Sequence, residues 1–170
     1  MWVFDATPLI YLARVDRLDI VECLEGPRVI PQRVHEEVVE AGLEQGYPDA
    51  RRIERAIETG RFGMVAVETT PLADRLQTNP NLSDADVAVL AHAAANDGTA
   101  VMDETYGRDV ASTEGVPTRG TAYLIVKRVR GGELGAAEAR ETVDAMLEAG
   151  WYCGPDVYSK IIRSIEAAIE

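Results

Sequence analysis

The sequence predicts an α/β domain with a mainly parallel central sheet of about five strands. Three observations carry this. Short β-like apolar runs alternate with helical patterns along the chain, as strand–helix–strand units require. At 170 residues the chain has the length of one domain with a sizeable core. Its 46% apolar and 27% charged residues place it with ordinary globular proteins rather than disordered ones.

The elements follow in order. A first strand over residues 2–5 ends at Asp5, and Pro8 suits the first turn of a helix carrying Leu9, Ile10, Leu12 and Ala13. A second short helix covers Leu18 to Leu24. A strand over 28–30 leads into QRVHEEVVEAG, which Pro31 opens, with Val34, Val38 and Ala41 on one face and Gly42 as its stop. Asp49 to Thr59 reads as an exposed, charge-laced helix, and a third strand covers 62–67. After ETTPLADRLQ and the turn TNPN comes the clearest helix, SDADVAVLAHAAANDG, closed by Asp97-Gly98. Its stripe of Val87, Leu90, Ala91 and Ala94 is expected to pack on the sheet. Strands over 99–102 and 116–118 follow, then a helix from Gly120 to Arg130 that ends at a candidate hinge, Gly131-Gly132. Helices over 135–149 and 154–169, joined by GWYCGPD, complete the chain. The expected organisation is a core over 1–130 and a C-terminal helical extension of the same domain over 131–170.

Charge and composition narrow the function. The net charge is −12, and among 17 basic residues only Lys127 and Lys160 are lysine. Such a chain has few side chains with which to neutralise phosphates, so any nucleic-acid role needs a local basic patch or bound cations. Lys127, Arg128 and Arg130 form a local basic cluster that reads first as a helix C-terminus complementing its dipole. Cys23 and Cys153 form no C-x-x-C, and His35 and His92 do not complete a zinc spacing with them. No apolar stretch is long enough to span a bilayer, and the start of the chain lacks the order of a signal peptide. A cytoplasmic protein without a membrane partner is expected.

The acids fall at matching places. Asp5 and Asp103 end strands, Glu37 lies one turn into the helix after the second strand, and Asp84 and Asp86 occupy the first turn of the helix after TNPNLS. A parallel sheet gathers such positions at the edge where it binds ligands. Clustered carboxylates raise one another's pKa unless a cation neutralises them, and oxygen-only ligands suit Mg²⁺ or Mn²⁺. The matching chemistry is metal-assisted hydrolysis of a phosphodiester. Each acid also has a plainer reading: Asp86 as the partner of Ser83 in a capping box, Asp84 as a complement to the helix dipole, and Glu37 as solvated surface beside Glu36.

VFDATPLIYL, IPQRVHEEVVEAG, LSDADVAVLAHA and AVMDETYGRDVA, in that order, resemble the PIN-domain family of metal-dependent nucleases. More narrowly, DETYGRDVA, GVPTRGT and GWYC resemble a VapC-like branch with a D-E-x-x-G-R-x-x-A motif. The resemblance implies a PIN-like α/β/α sandwich, an acidic pocket for Mg²⁺ or Mn²⁺, and endoribonuclease activity on single-stranded RNA. It also implies the toxin half of a toxin–antitoxin pair, hence an antitoxin partner, and a homodimer. Carried over by position, Asp5, Asp86 and Asp103 match the metal ligands, with Asp84 as a further acid, and Glu37 matches the acid that orients or deprotonates the attacking water. Thr7 and Glu104 are outer candidates. Arg108 either contacts the substrate phosphate or pairs with a neighbouring acid, and Trp151 and Tyr152 either stack on a base or pin the tail to the core. Aspartates at 84 and 86 replace the family's frequent glutamates, which keeps open a second reading, a catalytically degenerate PIN domain serving as a binding or dimerisation module. A phosphatase that forms an aspartyl-phosphate would want an aspartate where Thr7 stands, which disfavours that class.

Overall fold

The computed structural model describes residues 1–66 and 68–170; Val67, the end of the strand expected over 62–67, lies outside the described residues. Strands β1 (Trp2–Phe4), β2 (Arg28–Pro31), β3 (Gly63–Val65), β4 (Thr99–Val101) and β5 (Thr118–Arg119) form one sheet in the order β3-β2-β1-β4-β5. Every neighbouring pair is parallel, with Val3 opposite Val29 on one side and Ala100 on the other. Consecutive residues Val3 and Phe4 are fully buried, as expected of a strand covered on both faces. The chain winds outward from β1 through β2 to β3, then returns to β4 on the other side of β1. The β1/β4 boundary is therefore the switch point, where sheets of this kind open a crevice at their carboxyl edge.

The helices are α1 (Ala6–Arg14), α2 (Gln32–His35), α3 (Ala41–Glu44), α4 (Pro48–Glu58), α5 (Pro71–Gln77), α6 (Asp84–Ala95), α7 (Thr105–Thr113), α8 (Thr121–Arg130), α9 (Ala136–Glu148) and α10 (Pro155–Ala168). They flank the sheet, and the predicted α/β class holds. The helix expected over 18–24 is a 3₁₀ helix, Leu18–Cys23. Between α2 and α3 the segment Glu36–Glu40 widens into a π turn, with right-handed helical backbone at both junctions, so 32–44 runs as one rod. Gly42 does not stop it. A Cβ there would stand 2.7 Å from the Ala50 Cβ, so the glycine serves the close approach of α4.

Two further expectations change. Ala85 to Ala93 are buried on every side of α6, which is clamped between the strands and α2 and α5, while Ala94, placed on the sheet-facing stripe, is exposed. The buried surface is broader than one stripe and stops a residue earlier. The last strand is displaced from 116–118 to Thr118–Arg119, because Pro117 has no N–H to give and enters the ladder only as an acceptor, from the Ala100 N–H at 2.9 Å. Helix α5 was not foreseen, although Thr70 before Pro71 is a start signal, and the Thr70 hydroxyl accepts from the Ala73 N–H at 3.1 Å.

Phe4 and Phe62 meet edge to face, 5.1 Å between centroids, at the centre of the core. The tail packs onto it: α10 lies on α8, α9 touches α1, and the Tyr11 hydroxyl donates to the Gly150 carbonyl at 3.2 Å. Gly131 and Gly132 close α8 with hydrogen bonds to Lys127 and Val129. Arg128 of the basic cluster turns inward, donating to the Asp19 carbonyl at 2.7 Å.

Candidate active site

Asp5 stands at the switch point. Its N–H donates to the Val101 carbonyl at 3.0 Å, so the β1–β4 ladder continues to the last residue before α1 and holds the carboxylate at the sheet's edge. The residue is 6% exposed. Burial pushes its pKa from 3.8 up to about 7; the charge of Asp86 adds to this, the Ala6 amide pulls the other way, and Glu37 and Asp103 contribute further. The charged groups that act on it, Asp86, Glu37 and Asp103, are all acids.

Asp86 is buried and has two tasks. Its Oδ2 accepts from the Ser83 N–H at 3.0 Å while the Ser83 hydroxyl accepts from the Asp86 N–H at 3.0 Å, a complete capping box at the start of α6. The cap fixes the side chain where its charge acts on both Asp5 and Glu37. The plainer reading of Asp86 is thus also the means of placing it.

Glu37 lies in the π turn, a local widening that re-aims side chains. Its carboxyl pKa is raised, first by partial burial and then by Asp86. Adjacent Glu36 turns instead to Arg33, 3.3 Å away.

Asp103 follows β4 by two residues and is held on both oxygens. Oδ1 accepts from the Thr121 N–H at 2.7 Å, and Oδ2 accepts from the Thr121 hydroxyl at 2.8 Å and from the Trp151 indole N–H at 3.1 Å. Sequence reading does not reach Thr121 or the bond from Trp151 to Asp103. The G-T of GVPTRGT was the available signal for the first, since a threonine opening a helix beside a strand-end acid is placed to donate to it. Trp151 does pin the tail, and it does so through the site. A Cβ on Gly120 would come within 3.0 Å of Asp103 Oδ1 and 3.3 Å of Arg108 Nη1, so the glycine leaves room for both.

The remaining candidates lie further out. Thr7 and Glu104 line a neighbouring cavity with Asp103. Asp84 is exposed and lines a separate small cavity with Arg33 and Asp74, and its charge is not among those acting on Asp5. Arg108 is exposed and takes part in none of the ion pairs among the described residues.

A protein-family model described as DUF3368, a PIN domain, matches residues 1–167. The chain belongs to this PIN-domain family. Comparison with curated proteins and with solved structures gave no match. PIN domains are generally nucleases, so the coarse class of this one is a hydrolase. They typically use divalent metals, and the donor set here has the matching chemistry: oxygen only, with buried charge that Asp5 shares with other acids. Among the described residues, no three His, Cys, Asp or Glu side chains are placed to hold a metal ion by themselves.

No described helix is long and apolar enough to cross a membrane.

Proposed function

We propose that this PIN domain is a divalent-metal-dependent endoribonuclease that hydrolyses phosphodiester bonds in single-stranded RNA. The observation that carries the reading is Asp5: a carboxylate at the switch point, nearly sealed from water, whose pKa is raised to about 7 first by that burial and then by the charges of Asp86, Glu37 and Asp103. Nothing in the packing of a strand end calls for that arrangement, and a cation would relieve it.

Asp5 and Asp86, with Asp103 behind them, would hold Mg²⁺ or Mn²⁺. Bound there, the ion would polarise the scissile phosphate and supply an acidic water. Glu37 receives the proton of the attacking water, a role that its raised pKa suits. Thr121 and Trp151 hold the Asp103 carboxylate in one orientation. Arg108, beside Asp103 across Gly120, is free to meet a phosphate oxygen. Asp84 has no part in this set.

Purified protein incubated with labelled single-stranded RNA in Mn²⁺, Mg²⁺ or EDTA tests the reading. Cleavage should require the metal and disappear in a folded Asp5→Asn variant. A second reading, a binding module without catalysis, draws on the hydrogen bonds that already occupy both Asp103 oxygens. It replaces the first if the wild-type chain neither cuts RNA nor binds Mn²⁺. A VapC-like toxin role adds a cellular expectation: expression of the wild type arrests growth, Asp5→Asn does not, and an antitoxin partner reverses the arrest.

A further inference from the structure

Next to the carboxylates is a cavity of about 530 Å³, within the size range of small-ligand sites. It opens between the starts of α1 and α7 and the α9–α10 turn, and Thr7 and Asp103 belong to its wall. Tyr11, Tyr106, Trp151 and Tyr152 are among its lining residues, and of these Tyr106 and Tyr152 are exposed. Tyr152 is 91% exposed, an unusual amount of ring to leave in water. Tyr106 is 39% exposed, and its hydroxyl accepts from the Asn79 amide at 2.9 Å, which restrains the ring. The turn that carries Tyr152 is tied to the acidic site, because adjacent Trp151 donates its indole N–H to Asp103.

Electrostatics decide what enters. The wall carries the carboxylates of Asp103 and Glu104 and no arginine, lysine or histidine, in a chain of net charge −12. A phosphate is repelled there. A neutral, planar group with amine edges is not, since aromatic faces stack with it and carboxylates accept from it.

We propose that this cavity receives an unpaired base of a single-stranded nucleic acid, stacked on Tyr106 and Tyr152, beside the phosphate that a cation at the neighbouring carboxylates would hold. The inference rests on the nuclease reading and sharpens it: a base held in a duplex must first be unpaired and unstacked to enter, so the cavity favours single strands.

The test uses the full chain and a short fluorescent single-stranded RNA, with binding followed by anisotropy in EDTA and in Ca²⁺, and cleavage followed in Mn²⁺. Loss of one stacking face should weaken binding by about tenfold in Tyr152→Ala and in Tyr106→Leu, whereas Tyr152→Phe binds like the wild type. In cleavage the same losses should appear in KM, with kcat little changed, and binding of the matching duplex should not respond. If the wild type binds the single strand in neither EDTA nor Ca²⁺, or if Tyr152→Ala and Tyr106→Leu bind it as tightly as the wild type, the proposal is overturned. Equal losses for duplex and single strand overturn it too. RNA binding that depends on Tyr152 without any cleavage in Mn²⁺ keeps the base site and removes the nuclease reading. Cleavage with a KM indifferent to both tyrosines does the reverse.

Discussion

At the edge where the strands begin, acids meet arginines: Arg17 with Asp19 at 2.9 Å and Glu138 at 3.0 Å, Arg61 with Glu22 at 2.8 Å, and Arg128 with Asp19 at 3.8 Å. Burial pushes the Asp19 carboxyl up, but the bond to Arg17 and the charges of Arg17, Arg128 and Arg61 outweigh it, and the pKa ends below its ordinary value. At the edge where the strands end, burial first and then the charges of Asp86, Glu37 and Asp103 raise the pKa of Asp5 to about 7. The same chain that pairs its charges at one edge leaves them opposed at the other. Stability explains the first edge; the second lowers stability, which supports the proposed cation site.

The largest expected effect follows from Asp5. A carboxyl whose pKa is raised on folding binds its proton more tightly in the folded state, so the fold is fully stable below pH 3.8 with respect to this group and loses stability as pH rises from there to about 7. The loss over that span is on the order of 4 kcal/mol at most, from about 1.4 kcal/mol per pKa unit. Urea unfolding of the metal-free protein at acidic and alkaline pH should show it in the wild type and much less of it in Asp5→Asn. The same variant should lose at least about hundredfold in cleavage, the scale of removing one preorganised electrostatic contact.

Trp151→Phe keeps an aromatic ring in the turn and removes the donor to Asp103. The lost bond to a charged group should cost about 1.5–3 kcal/mol in unfolding free energy and lower kcat without a matching change in KM. Gly120→Ala pushes a methyl against Asp103 and Arg108, and calorimetry should show a destabilisation of about 1–3 kcal/mol together with reduced activity. Ser83→Ala removes one half of the capping box, which should cost about 1 kcal/mol and loosen Asp86, seen as weaker Mn²⁺ binding. The smallest change belongs to the other edge: Arg61→Ala should cost under about 1 kcal/mol and leave cleavage unaltered. An Arg61→Ala variant as inactive as Trp151→Phe would break the contrast between the edges.

The carboxyl edge is legible in the sequence because strand ends are local, whereas the paired edge is not. VFD followed by T-P places Asp5 at the end of a buried run and the start of a helix, and TAVM places Asp103 likewise. Ser83 and Asp86 announce a capping box by their spacing alone, and the box is there. What was hidden depends on tertiary approach. Gly42 looks like a helix stop until Ala50 is seen packed against it. The π turn at Glu36–Glu40 has no signature in EEVVE that distinguishes it from an ordinary turn. The donors to Asp103 are 18 and 48 residues away in the chain, so no window of sequence holds both ends of those bonds.

The central claim is that the carboxyl edge of the sheet carries buried negative charge that a divalent cation neutralises. Thermal unfolding of the wild type and Asp5→Asn at neutral pH, each with and without Mn²⁺, tests it most directly. Mn²⁺ should raise the Tm of the wild type, Asp5→Asn should melt higher than the metal-free wild type, and the variant should respond little to Mn²⁺. A wild type indifferent to Mn²⁺, with Asp5→Asn melting lower, would contradict it.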